Sequence, residues 1–379
     1  MIGDHNLKIP VWEYRDLDLP SYSMLSSISK AGVDIMNGDK SNGIFSLKFG
    51  SLVDDMCFET DVVMDKYYMN VSVSNPTKNV KDIVDYVLAG INRNEKKEET
   101  ESFSFIKKKP ISSSFVDSSN LEDYKSQILL GAKANNVYAK YTEDKIIKTV
   151  LDAGTDYFKD SILCRGKVQI KKEMWDKAME TSKTLATHQF SKKYFTPEPG
   201  VELIYQYKFT AKVNGIHTKG MLDIVMINHN TKKIYPVDLK TGELPAGKFN
   251  EVFLMHGYYI QASLYKEALR YIVSNDFELD GYTVENFEFL YISKDNVNKP
   301  IIWVVSEKIH QASLSGFTDT YGIKHKGVHG LLKEYTDCKQ GMYCEYTEDV
   351  YKNEGRIMFD DDLIRGVIDE EGKIGNNSN

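Results

Sequence analysis

The sequence predicts a chain of the α/β (α+β) class, on three observations. One is a series of strand-like segments between residues 201 and 242: "VELIYQYKFTAKV", "GMLDIVMI" and "IYPVDLK". Asn214-Gly215, a strong two-residue hairpin signal, joins the first two, and "NHNTKK" turns the chain again. Three such consecutive segments make an antiparallel meander. The second observation is the long helical patterns on either side, over 171–194, where Met174, Ala178, Leu185 and Ala186 fall near one stripe, and over 251–273. The third is composition. In 379 residues, 41% hydrophobic and 12% aromatic content supplies a real core, and no run of 18 apolar residues marks a membrane span.

The elements follow in order. Residues 20–36 read as a helix that Ser21 or Ser23 can cap, and 46–58 as a second helix. Residues 92–120 are charged and Ser-rich, which predicts a loop and a domain boundary. The run Lys107-Lys108-Lys109 within them reads as a solvated loop, or as a phosphate contact. Residues 121–160 read as helical with a break near 131–136, and 285–293 and 300–306 as two further strands. The expected organisation is a helical N-terminal segment 1–120, a core 121–365 with its chemistry within 200–306, and a flexible polar tail 366–379.

Net charge and cysteines limit the function classes. A net charge of −7 argues against a basic nucleic-acid coat protein, though a local groove can still be basic. Cys57, Cys164, Cys338 and Cys344 are sparse, and the N-terminus "MIGDHNLKIPVWEY" lacks a signal-peptide build. Both suit a cytoplasmic setting. The C-x5-C spacing lacks the tight pairs of an iron–sulfur site, so ordinary thiols are expected.

The chemistry gathers around "PVDLKTG". On a strand, positions i and i+2 share a face, so Asp238 and Lys240 stand side by side. Alone, that is an ion pair at a strand end. Fifteen residues earlier, Asp223 lies in the apolar strand "GMLDIVMI", where a charge is costly unless paired or metal-bound. A hairpin can bring both carboxylates within reach of one ion, and hard oxygen ligands with retained waters suit Mg²⁺. Gln261 and Tyr265, four apart, share one face of the following helix. His188, His217 and His256 read as ordinary histidines.

The arrangement "GMLDIV…IYPVDLKTG…GYYIQASLY" resembles the PD-(D/E)XK nuclease superfamily, in particular its RecB- and RecE-like exonuclease branch, over residues 202–265. The resemblance implies a restriction-endonuclease-like core, a central mixed β-sheet flanked by helices, with a helical N-terminal extension. It implies Asp223 and Asp238 as metal ligands with the Leu239 carbonyl, Lys240 beside the attacking water, and Gln261 and Tyr265 as supporting catalytic residues. It carries Glu202 over as an upstream acid. At the N-terminus "FGSLVDD" is similar to the branch's "FGSxxH", with Asp54 in the histidine position; Asp54 then binds metal or simply charges its helix. The implied activity is Mg²⁺-dependent (or Mn²⁺-dependent) exonucleolytic hydrolysis of linear double-stranded DNA in phage recombination, carried out in the host cytoplasm. The implied partners are DNA, a single-strand annealing protein and further copies of the chain, with no membrane. The alternatives are a catalytically weak DNA- or protein-binding relative, and an endonuclease.

Overall fold

The computed structural model describes residues 5–31, 45–70, 76–101 and 120–340, with residues 352, 354 and 356. Lys107–Lys109, Cys344 and the tail from 366 lie outside them. The chain opens with α1 (Val11–Asp16), α2 (Tyr22–Ala31) and α3 (Phe45–Phe58), as 20–36 and 46–58 predicted. Leu25 and Ile28 bury the inner face of α2.

A second compact unit then intervenes, Glu59–Asp176, while the first resumes at Lys177. The compositional boundary at 120 is therefore not the structural one. The intervening unit holds α4 (Val63–Lys66), β1 (Tyr67–Asn70), α5 (Lys78–Glu101), α6 (Lys125–Ala134), α7 (Glu143–Leu163) and β2 (Val168–Lys171). Its core is Ile83, Val84, Val87, Ile128, Val150 and Phe158 with their neighbours. β1 and β2 pair in parallel. Helix α5 runs ten residues into the segment expected as loop from 92. The helix break expected near 131–136 falls between α6 and α7, where Asn136 and Tyr138 take left-handed φ of 52° and 59°.

From Lys177, within α8 (Lys172–Thr187), the first unit continues into β3 (Val201–Val213), β4 (Ile216–Asn228) and β5 (Lys233–Gly242). These form the expected antiparallel meander, with Asn214 and Gly215 at positive φ in the hairpin turn. The helix expected over 251–273 is two pieces, α9 (Asn250–Phe253) and α10 (Tyr258–Ser274). Gly257, at φ 70°, turns the chain between them. Then follow β6 (Thr283–Val284), β7 (Glu288–Ser293), β8 (Asn296–Val304), α11 (Glu307–Ser315), β9 (Gly316–Thr318), β10 (Lys324–Lys326) and α12 (Val328–Lys339).

The main sheet has the order β3-β4-β5-β7-β8, with β6 also on β5. β5 and β7 are parallel and α10 crosses between them; the other long pairs are antiparallel, so the sheet is mixed. Helix α10 lies on the sheet and buries Ile260, Leu264, Ala268 and Leu269 against Phe209, Leu222, Phe287 and Phe289. The fold is thus a mixed α/β structure with a central mixed sheet flanked by helices, as the sequence predicted.

An ion network fastens α11 to α10. The buried Lys266 ammonium donates to Asn286 Oδ1 (2.9 Å) and Glu307 Oε2 (2.7 Å), and Arg270 reaches the same carboxylate. The Lys266 hydrogen bond pulls the Glu307 carboxyl down to about 2. A depressed carboxylate stabilises the fold above its unfolded pKa, and that contribution is lost as pH falls through the folded value. Glu307→Gln should therefore lower the urea midpoint at pH 7, and the gap to the parent should close between about pH 4.5 and 2. Half of this side chain faces solvent, so screening holds the effect to about 1 kcal/mol. A gap that stays constant across that window would remove the ion pair as its cause.

Candidate active site

β4–β5 pairing runs from Asn228↔Lys233 to Ile224↔Val237 and stops there. The same register continued by one step sets Asp223 opposite Asp238. Where the ladder stops, Asp223 Oδ2 accepts the Leu239 N–H at 2.8 Å. The carboxylate is thus fixed by the backbone of the strand that carries Asp238. A strand residue's N–H and C=O point to the same side, so the Leu239 carbonyl also faces Asp223.

Asp238 is 2% exposed. Its Oδ2 accepts from the Lys240 ammonium, and its Oδ1 accepts from Gln261 Nε2 at 2.7 Å. Gln261 sits in the first turn of α10, and Gln261 Oε1 has no partner among the described residues. Tyr258, three residues earlier, places its ring 5.3 Å from the Lys240 ammonium. Tyr265 does not reach the acids through a hydrogen bond. It is buried, packs edge-on against Phe209 at 5.6 Å and lies over Gly220. Its role in this geometry is to hold α10 to β3 and β4.

Asp54 comes within electrostatic reach of these acids, without completing a three-carboxylate metal-binding group with them. Gly50 lets α3 approach β5 closely, since a Cβ there would stand 3.1 Å from Thr241 Oγ1. Asp54 is one turn further along the same face. The "FGSLVDD" segment thus has a physical reading: the glycine admits the helix to the strand, and the aspartate comes within electrostatic reach of the other acids. Burial, then Asp223 and, against them, Lys240, set the Asp54 carboxyl well above its ordinary value. Burial and then Asp238 push Asp223 up to about 7. Burial also raises Asp238, with Lys240 pulling the other way. Burial works against the Lys240 ammonium, but Asp238 and Asp223 outweigh it and keep it charged.

Glu202 is a correction. The β3–β4 register pairs it with Ile227, four positions beyond the level of Asp223, roughly 13 Å along the strand. There its carboxylate meets His229 Nε2 at 3.2 Å, so it is not brought to the acid cluster. The β3 residue that does face Asp223 is Gln206. It interrupts the ladder between Tyr205↔Ile224 and Tyr207↔Leu222, takes φ 47°, and its Nε2 approaches Asp223 Oδ1 at 3.4 Å. A left-handed glutamine inside a strand costs about 1–3 kcal/mol, and such strain concentrates at functional sites. Glu202, Gln206, Lys208, Thr210 and Lys212 are all polar positions of β3, so the sequence alone did not single out Gln206.

Two cavities occur in this unit, neither lined by the acids themselves. One, of about 310 Å³, is lined by Arg15, Ser21, Tyr22, Ser23, Lys219 and Tyr265. Lys219 there is occupied by the carbonyls of Tyr14, Arg15 and Leu17 (2.6–3.2 Å), which ties the N-terminal segment to β4. The other, of about 760 Å³, is largely apolar and reaches α3 at Met56 and Cys57.

The donor set fits a hard divalent cation. Two carboxylates on adjoining strands repel each other in a desolvated site, and a cation would relieve that repulsion. Among the described residues no three His, Cys, Asp or Glu side chains form a ready-made metal cage. Mg²⁺ asks only for one or two carboxylates and keeps several waters, so the two-aspartate arrangement is sufficient.

No protein-family profile matches the chain, and no curated protein matches it in sequence. Among solved structures, the chain is similar to a protein from Eubacterium rectale provisionally named an exonuclease. The identity is 14% and the TM-score 0.32, over 66% of this chain and 95% of the other. A likeness of that order carries no functional argument. Among the described residues no helix is long and apolar enough to cross a membrane.

Proposed function

We propose that this chain is a metal-dependent nuclease that hydrolyses phosphodiesters of linear double-stranded DNA from the ends. The observation that carries the reading is the Asp223–Asp238–Lys240 cluster, with Asp238 buried, the other two half-buried, and Gln261 bonded to it from α10. Asp223 and Asp238, with the Leu239 carbonyl, would hold the cation, and Asp54 would add negative potential nearby. Bound there, Mg²⁺ would lower the pKa of a water and polarise the phosphoryl oxygen.

The chain's own groups do the rest. The Leu239 N–H fixes Asp223, and Gln261 fixes Asp238, so neither carboxylate has to reorganise when charge develops. Lys240 remains an ammonium and faces the same space, placed to stabilise negative charge growing on the phosphate. Tyr258 backs that ammonium with its ring. The smaller cavity offers the Arg15 guanidinium and the Ser21 and Ser23 hydroxyls, a suitable cradle for a strand phosphate. On the resemblance, the single strand left by resection passes to an annealing protein in the cytoplasm, and copies of the chain assemble on DNA.

The test is end-labelled linear DNA beside covalently closed circles, each with Mg²⁺ or Mn²⁺. Loss of the linear form alone is the expected result. Cutting of circles would make it an endonuclease. Binding without cleavage, unchanged in Lys240→Ala, would make it a binding protein on this fold.

A further inference from the structure

The 760 Å³ cavity is not used by the chemistry above, yet residues that line it neighbour site residues along two elements. On α3, its lining residues Met56 and Cys57 follow Asp54 by two and three positions. On β3, Tyr205 lines it and is followed directly by Gln206, the residue turned toward Asp223. The Cys57 thiol, raised first by burial, also feels Asp54 and Asp223, which places the cavity wall within electrostatic reach of the acids.

The lining has a definite chemistry. Phe195 and Tyr205 form an aromatic wall, backed by Phe58, whose ring is near-parallel to Phe195 (14°, 6.1 Å) and 5.4 Å from Tyr205. Met56 and Met179 add polarisable thioethers, which make favourable contacts with aromatic rings. Lys183 and Glu180, both exposed on α8, are the charged members of the lining. The volume falls in the range of small-molecule sites, about 300–1,000 Å³.

We infer that this cavity is a nucleobase subsite: it receives one unpaired base of the strand whose phosphodiester reaches Asp223 and Asp238. The inference rests on the nuclease reading for the identity of the strand. A base is flat, apolar on its faces and polar at its edge. It would stack on the Phe195–Tyr205 wall, while Lys183 meets a flanking phosphate and Glu180 meets base-edge donors. Stacking tolerates every base, so the subsite would grip a strand without reading its sequence. It would also hold a terminal base away from its partner, which delivers one strand rather than the duplex to the acids.

The experiment uses the full chain and duplexes with a short single-stranded overhang, in Ca²⁺ in place of Mg²⁺. One overhang carries 2-aminopurine and the other an abasic residue at the same position. The base-bearing end should bind about 5- to 150-fold tighter, the range that stacking of one base supports. The 2-aminopurine fluorescence should fall on binding. Ala186→Trp, which fills the cavity, and Phe195→Ala, which removes part of the wall, should bring the ratio close to one and restore the fluorescence. Met179→Ala alters a side chain already half-exposed, so it tests the wall if either of the others fails to fold, and should lower the ratio in part. A ratio of one in the parent, or one unchanged in a folded variant, overturns the subsite, as does absence of DNA binding. Parallel cleavage assays separate the two readings. Cleavage with a ratio of one leaves the nuclease and removes the subsite, whereas a high, variant-sensitive ratio without cleavage leaves the subsite and removes the nuclease.

Discussion

Asp223→Asn should abolish metal-dependent cleavage and at the same time make the metal-free protein more stable. The two effects come from one fact: burial and a neighbouring carboxylate have raised the Asp223 carboxyl to about 7, so its charge is held at a cost. Asparagine is the same shape and keeps the bond that matters structurally, since its carbonyl oxygen can still accept the Leu239 N–H. What it removes is the negative charge facing Asp238 and Asp54. With that repulsion gone the fold should gain on the order of 1 kcal/mol, which for a unit of this size is a rise of about 2–4 °C in Tm. Cleavage should fall at least about a thousandfold, equivalent to about 4 kcal/mol of transition-state stabilisation. A second readout needs no substrate. Mg²⁺ should raise the Tm of the parent chain and leave that of Asp223→Asn nearly unchanged, because the variant has lost one of the two carboxylates. A structural aspartate behaves in the opposite way: its replacement lowers Tm and leaves the response to Mg²⁺ intact. That pattern, with cleavage retained, would sink the assignment of this residue.

Much of this cluster was legible in the sequence because its geometry is local or nearly so. Asp238 and Lys240 share a face by the two-residue period of a strand. Asp223 and Asp238 are brought together by one short hairpin, and Gln261 follows on α10, the long helix after β5. Each inference needed only an element type and a short connection. Glu202 failed because strand identity does not give register. It shares β3 with Gln206, but four positions separate them, and only the pairing with β4 shows which one lies level with Asp223. Tyr258 was overlooked because "GYYIQ" reads as continuous helix until Gly257 is seen to break it, and the break sets where the first turn of α10 points. The unit boundaries at 58/59 and 176/177 were invisible for a related reason. Both ends of the intervening unit fall within or beside helices, with no Gly, Pro or Ser-rich punctuation.

Gly220→Ala should be the most damaging small substitution near the site, although generic strand preference predicts a gain. Glycine inside a strand gives up about 0.5–1 kcal/mol of backbone entropy relative to alanine, so adding a methyl group is ordinarily favourable. Here the methyl has nowhere to go. Gly220 pairs directly with Phe209 across the β3–β4 ladder, and a Cβ would stand 2.3 Å from Phe209 Cζ and 2.8 Å from Tyr265 Cε1. Both rings are buried and packed edge-to-face on each other, so neither can withdraw without moving its own neighbours. Overpacking of this kind costs typically 1–3 kcal/mol and sometimes more, which exceeds the entropic gain. The expected result is a Tm lower by several degrees. Cleavage should be lost beyond what unfolding explains, because Tyr265 is one turn from Gln261 on α10 and a displaced ring shifts the amide that orients Asp238. Phe209→Leu in the Gly220→Ala background should restore part of both, since the smaller side chain vacates the space the methyl needs. The double-mutant cycle would then show a coupling well above the few tenths of a kcal/mol expected of independent sites. A Gly220→Ala protein as stable as its parent would mean that the ring of Tyr265 does not press on β4, and with it would go the account of how α10 is held in place over the acids.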